Sequence, residues 1–168
     1  MRILSQFTYL VLNNENVSND YLQQIYDLNQ ANTPEVGSLE SEKHLTKLID
    51  FSAYNLLILK DEQIIGFIIC MREGSAYSSE NYKFFTKKLK KFLYVDRVAI
   101  DERYRREGLG QSIYEDIFKL AQKEYLPIAL EVNTQPINQP SLDFHQKMGF
   151  DQVGDKDFDD HSVAYFIK

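Results

Sequence analysis

The stretch Val95-Asp-Arg-Val-Ala-Ile-Asp-Glu-Arg-Tyr-Arg-Arg-Glu-Gly-Leu-Gly110 constrains this chain most. The apolar run over residues 92–100 predicts a strand. Residues 109–123 predict an amphipathic helix, with Leu109, Ile113, Ile117, Leu120 and Ala121 on one face and Glu115, Asp116, Lys119, Gln122 and Lys123 on the other. Gly108 and Gly110 let backbone N–H groups approach a ligand with no Cβ in the way. The helix that starts there turns its free amides and positive dipole end toward the same point, and Arg105 and Arg106 add charge. This constellation suits a phosphate or pyrophosphate. A dinucleotide-binding turn requires Gly-x-Gly-x-x-Gly, yet the third position is Ile113; a P-loop requires Gly-Lys-Ser/Thr, yet the chain has Gly110-Gln111-Ser112.

The remaining pattern mixes strands and helices, so the expected class is α/β or α+β in one domain spanning residues 1–168. Residues 3–12 read as a first strand. Ser18 caps a helix to about residue 29, residues 30–38 form a loop, and a second helix covers 41–51. Two strands, 55–60 and 63–71, flank a turn at Asp61-Glu62, and Gly66 marks a bulge. Residues 72–91 form a long connection with a short helix over 81–91. A buried strand follows at 127–132 and a loop at 133–139. A helix over 140–147 has Pro140 at its start and Gly149 past its end. Strands at 150–154 and 162–167 close the chain, joined by an acidic turn over 155–161.

At the glycine loop the sequence resembles the GNAT superfamily of N-acetyltransferases. Arg105-Arg106-Glu107-Gly108-Leu109-Gly110 matches the Arg/Gln-x-x-Gly-x-Gly/Ala acetyl-CoA motif. A second match follows downstream. The strand Ile128-Ala-Leu-Glu-Val132 leads to Asn138, Ser141, Phe144, His145, Lys147, Gly149 and Phe150, in the spacing of the family's Asn-x-x-Ala-x-x-Leu/Phe-Tyr-x-x-x-Gly-Phe. The upstream order of elements and Ile64-Ile-Gly-Phe67 fit as well. Within the superfamily the wording is similar to a bacterial subgroup of predicted acetyltransferases.

The resemblance implies a mixed, mostly antiparallel sheet flanked by helices and splayed where acetyl-CoA enters, with CoA as product and no metal. It assigns the diphosphate to the backbone of Arg106, Gly108, Leu109, Gly110 and Gln111, with Arg105 nearby. It assigns the pantetheine arm to the strand edge at Val98, Ala99 and Ile100, with Asn138 and His145 close to it. An amine attacking a thioester must first lose a proton, which calls for a base. Tyr94 stands where some relatives carry a basic glutamate, and strand alternation puts Asp96 on the same face. Asp96 is the first base candidate, with a structural ion pair as its alternative role. Glu131, acting through water, is the second. His145 replaces the family's tyrosine acid; an imidazole can donate a proton there or hydrogen-bond within the helix packing. Tyr77, Ser78, Asn81 and Tyr82 fall where relatives build part of the acceptor site, or on a surface insertion.

The implied activity is acetyl transfer to a primary amine of a small molecule. Alternatives are a protein lysine or N-terminal acetyltransferase and a non-catalytic acyl-CoA-binding module. A homodimer is a family-level expectation. The net charge of −6 argues against a nucleic-acid partner. The longest apolar run, eight residues, is too short for a membrane span, and the start lacks a signal-peptide cleavage site, so the expectation is a soluble cytoplasmic protein. Cys70, the single cysteine, excludes an internal disulfide. Histidine spacing does not suit zinc, and Asp155-x-Asp157-x-Asp159 lacks the glycine and glutamate of a calcium loop. Lys83 to Arg106 carries nine basic and three acidic residues, which reads as a basic block leading into the phosphate loop.

Overall fold

The computed structural model describes every residue except Met1, Ser5 and Asn14, and Arg2–Leu4 through their backbone alone. The strand expected over residues 3–12 is two strands, β1 (Arg2–Leu4) and β2 (Phe7–Val11), because the chain reverses between Leu4 and Phe7. Two helices follow, α1 (Asn19–Ala31) and α2 (Glu42–Phe51). Serine hydroxyls start both: Ser18 accepts from Tyr21 N–H and Ser41 from His44 N–H, each at 3.2 Å. These caps satisfy amides that have no partner within the helix. Ile25 and Leu28 of α1, and Leu45, Leu48 and Ile49 of α2, face inward.

β3 (Tyr54–Lys60) and β4 (Gln63–Arg72) form the expected hairpin. Asp61 and Glu62 both take positive φ, +49° and +66°, the handedness that matches strand twist in a two-residue turn. The register skips Ile65, beside Gly66, so a bulge lies there as expected. A Cβ on Gly66 would stand 2.8 Å from Ile100 Cδ1 and 3.4 Å from the Ala99 carbonyl, so a side chain there would require the Ile100 side chain to shift.

The chain continues through α3 (Glu80–Lys88), β5 (Leu93–Ile100), a 3-10 turn at Glu102–Tyr104, α4 (Leu109–Glu124), β6 (Ile128–Gln135), α5 (Gln139–Lys147), β7 (Asp151–Asp157) and β8 (Ser162–Ile167). The acidic segment expected as a turn is in part strand. β7 lies at the sheet edge, where Asp155 and Asp157 can face water while Lys156 between them is half-buried.

The eight strands form one sheet in the order β1-β2-β3-β4-β5-β6-β8-β7. Neighbours are antiparallel except β5 and β6, which are parallel. One face packs Leu93, Val95, Leu130 and Val132 against Leu109, Ile113, Tyr114 and Ile117 of α4. The other packs Phe67, Ile69, Tyr94, Ala129 and Tyr165 with apolar residues of α1, α2 and α3. The expected class, a mixed and mostly antiparallel sheet flanked by helices, is the one observed.

Candidate active site

The sheet opens where its parallel pairing ends. Among the described residues, β5 and β6 are in register only at Leu93–Ile128 and Tyr94–Ala129. Beyond Tyr94 the β6-side edge of β5, carrying Val98, Ala99 and Ile100, leaves the ladder. α4 starts just past the end of β5, and its N-cap is Gly108, φ +78°, which supplies no side-chain acceptor. Arg106 is also left-handed, φ +69°. A Cβ on Gly108 would meet nothing within 4 Å, and one on Gly110 only the Phe144 ring at 3.8 Å. Nothing inside the protein demands glycine at position 110. The open space above both glycines leaves room for a ligand against the first-turn amides of α4, a setting suited to an anion. The residues therefore fit a CoA diphosphate.

On the opposite face, at the same opening, stands Glu131 of β6. Tyr94 donates its phenolic hydrogen to the Glu131 carboxyl, lying 2.9 Å from Oε1 and 2.8 Å from Oε2. Asn81 Nδ2 donates to Oε1 at 3.1 Å, and Tyr165 Oη donates to Asn81 Oδ1 at 2.9 Å. Glu131 is half-buried as a residue, and its carboxyl is enclosed. Burial first, and the nearby Asp96 charge second, push it up to about 8 against the hydrogen bonds from Tyr94 and Asn81. It can exchange a proton near neutral pH. Tyr94 is itself fully buried and raised by burial and by Glu131, so it acts as a donor to the carboxyl.

Asp96 lies near Tyr94 and Glu131, at an irregularity of β5. The register runs from Cys70–Val95 to Ile69–Arg97, so Asp96 is the extra residue of a bulge. Its carboxylate accepts from Arg97 Nε at 2.8 Å, with the side chains only 4% and 8% exposed, respectively. Arg97 Nη1 also donates to Asn29 Oδ1 at 2.8 Å and to the Gly37 carbonyl at 3.1 Å. The pair thereby ties the segment between α1 and α2 to the centre of the sheet. Tyr77 lies beside this pair; burial and then Asp96 raise its phenol.

His145 is held on both nitrogens. Nδ1 is 2.7 Å from the Ser141 carbonyl, which can only accept, so Nδ1 carries the proton and Nε2 accepts from Tyr114 Oη at 2.8 Å. His145 is 4% exposed, and burial lowers the proton affinity of its ring. Of the two roles open to it, this geometry has His145 hydrogen-bonding within the α4–α5 packing. Asn138 caps α5, its Oδ1 accepting from Ser141 N–H at 3.2 Å. Tyr82 is buried and structural, donating to the Arg72 carbonyl at 2.6 Å. Ser78 is exposed before α3, and Gln111 Nε2 donates to Glu115 on the outer side of α4.

The basic block does not converge on the glycine loop. Lys87, Lys88 and Lys90 line a 480 Å³ surface cavity with Glu73 and Phe92. Arg97 is committed to Asp96, and Arg103 pairs with Asp101 at 2.7 Å. Arg105 Nη2 donates to Asn32 Oδ1 at 2.8 Å, linking the glycine loop to the end of α1. Linear charge counting missed these partners because each comes from another element. Among the described residues no group of three or more His, Cys, Asp and Glu side chains is placed to hold a metal ion. No helix there is long and apolar enough to cross a membrane.

Solved structures share this architecture. The Escherichia coli ribosomal-protein-S18-alanine N-acetyltransferase superposes with a TM-score of 0.67 at 14% identity, over 95% of this chain and 92% of that one. Ard1 from Thermoplasma volcanium gives 0.72 at 18% identity, covering 97% of each chain. Arabidopsis thaliana NAA60 in complex with acetyl-CoA gives 0.71 at 14%, covering 96% and 97%. A search of curated proteins finds no significant match. The Acetyltransferase (GNAT) family model matches residues 22–150, from α1 through the glycine loop to the end of α5, and on that match the chain belongs to the GNAT acetyltransferase family and is an acyltransferase.

Proposed function

We propose that this chain moves an acetyl group from acetyl-CoA to the primary amine of a small molecule, with Glu131 as the base. The observation that carries the reading is the sheet opening. It has the uncapped start of α4 on one face and the Glu131 carboxyl on the other. Acetyl-CoA supplies the acetyl group as a thioester. The amides of Arg106, Gly108, Leu109, Gly110 and Gln111 would hold its diphosphate, with charge from Arg105 and Arg106. The free edge of β5 at Val98, Ala99 and Ile100 would pair with the pantetheine arm as an added strand does, and Asn138 would border it.

On the acceptor face Glu131 would take the proton of the incoming ammonium, directly or through a water. Free amines hold that proton at pH 7, and a base that titrates near 8 combines strength with availability. Asp96 serves here by its charge, which raises Glu131, while its own oxygen is held by Arg97. The small-acceptor reading draws on α3. Phe84 stacks on Tyr165 with ring centroids 4.0 Å apart, and Lys156 pairs with Glu80. The helix thus packs on β8 and β7 and carries Asn81 to the Glu131 carboxyl, with Tyr77 and Ser78 in the segment just before it. The second reading, a protein lysine or N-terminal amine, draws on the likeness to the S18-alanine and NAA60 structures.

CoA release measured with a panel of polyamines, amino acids, aminoglycosides and short peptides tests the substrate class. Turnover with one or more small amines above thioester hydrolysis is the expected result. Turnover confined to peptides would replace the first reading with the second.

A further inference from the structure

We infer that Asn81 is the positioning residue that aligns the Glu131 carboxyl for proton transfer, and that Tyr165 fixes which end of the Asn81 amide faces it. The inference rests on the reading of Glu131 as the base and adds a device that the glycine-loop and β6 motifs do not contain. Asn81 belongs to α3, in the connection between β4 and β5. Asn81 presents Nδ2 to Glu131, the orientation that the ionised form requires, since a carboxylate accepts hydrogen bonds and cannot donate them. Its Oδ1 then points to Tyr165, whose hydroxyl supplies a hydrogen at 2.9 Å. Without that donor, the amide can turn its carbonyl toward Glu131, which disfavours the carboxylate.

Docking of α3 sets the position. Phe84 is three residues after Asn81, on the same helix face, and is seated on the Tyr165 ring at 4.0 Å. Gly154 of β7 makes the seat possible, since a Cβ there would lie 3.0 Å from Phe84 Cζ. The groups around the carboxyl are Tyr94 and the Arg97-paired Asp96 from β5, Tyr77 from the segment before α3, Asn81 from α3, and Tyr165 from β8. Of these, Asn81 and Tyr94 donate to Glu131 directly.

The test follows the Glu131 carboxyl by 13C NMR against pH, assigned by its loss in Glu131→Gln, beside the pH profile of kcat/KM. Asn81→Leu is expected to move the Glu131 midpoint up by about one pH unit, because the charged form loses a donor. For a base that titrates about pH 8, kcat/KM at pH 7 then falls about ninefold and returns close to wild type above about pH 9.5. Tyr165→Phe, a milder change that keeps the ring, is expected to shift both in the same direction by less. A midpoint unmoved in Tyr165→Phe and in folded Asn81→Leu would overturn the inference, as would a loss of activity equal at every pH. A midpoint that moves while the kcat/KM profile stays in place would uphold the tuning by Asn81 and overturn Glu131 as the base.

Discussion

Glu131 is a carboxyl in surroundings that disfavour its charge, and that has a consequence for stability. Its native midpoint is raised to about 8 from the ordinary 4.5. The folded state therefore binds the proton more tightly than the unfolded chain, and this contribution is complete below about pH 4.5 and lost as pH rises through about 8. Glu131→Gln has no charge to bury. Denaturation midpoints should show the variant gaining on wild type between about pH 4.5 and about pH 8, with a constant difference above. A difference independent of pH would contradict the burial of an ionisable group. The position of Glu131 in its strand was legible in the sequence; its surroundings were not. Asn81 and Tyr165 are 84 residues apart, and no local pattern announces a hydrogen bond across that distance. His145 shows the converse, since its place in the motif was plain while its hydrogen-bond partners decide its chemistry.

Elements act on the site through their ends and irregularities. The bulge at Asp96 turns the Asp96–Arg97 pair under the α1–α2 segment, where Arg97 reaches Asn29 and Gly37. Removing one member of a buried ion pair leaves the other uncompensated. Arg97→Met should cost about 3–5 kcal/mol in urea denaturation; a cost below 1 kcal/mol would show that water relieves Asp96. The start of α4 makes a different claim. Gly108→Glu puts a negative side chain into the space above the helix amides and should weaken acetyl-CoA binding more than about tenfold by calorimetry, about 1.4 kcal/mol. Gly108→Ala, which meets no neighbour and carries the same positive φ, should lose stability with far less loss of binding. Equal affinities for the glutamate and alanine variants would remove the diphosphate from this loop. The strand–loop–helix unit was read correctly because its signals are local: apolar periodicity, glycines and caps. The bulge was missed because a skipped register is a property of two strands together.

At the scale of the whole molecule, the governing feature is one opening in the sheet. Parallel pairing of β5 and β6 ends after Tyr94. α4 addresses the opening from one face, and Glu131 with α3 addresses it from the other. Sequence order and the two motifs carried the fold class and the site of the opening. They did not carry the partners of Asp96 and Glu131, because the bulge turns Arg97 to the face of Asp96 and α3 reaches Glu131 only by docking on β8. The proposed reaction is acetyl transfer with Glu131 as the proton acceptor. The measurement that addresses this most directly is kcat/KM against pH, at saturating acetyl-CoA with an accepted amine, for wild type and Glu131→Gln. Wild type should rise with pH through about 8 and the variant should lose both that rise and most of its rate, with acetyl-CoA affinity retained. A Glu131→Gln variant with wild-type rate and the same pH profile would contradict the account.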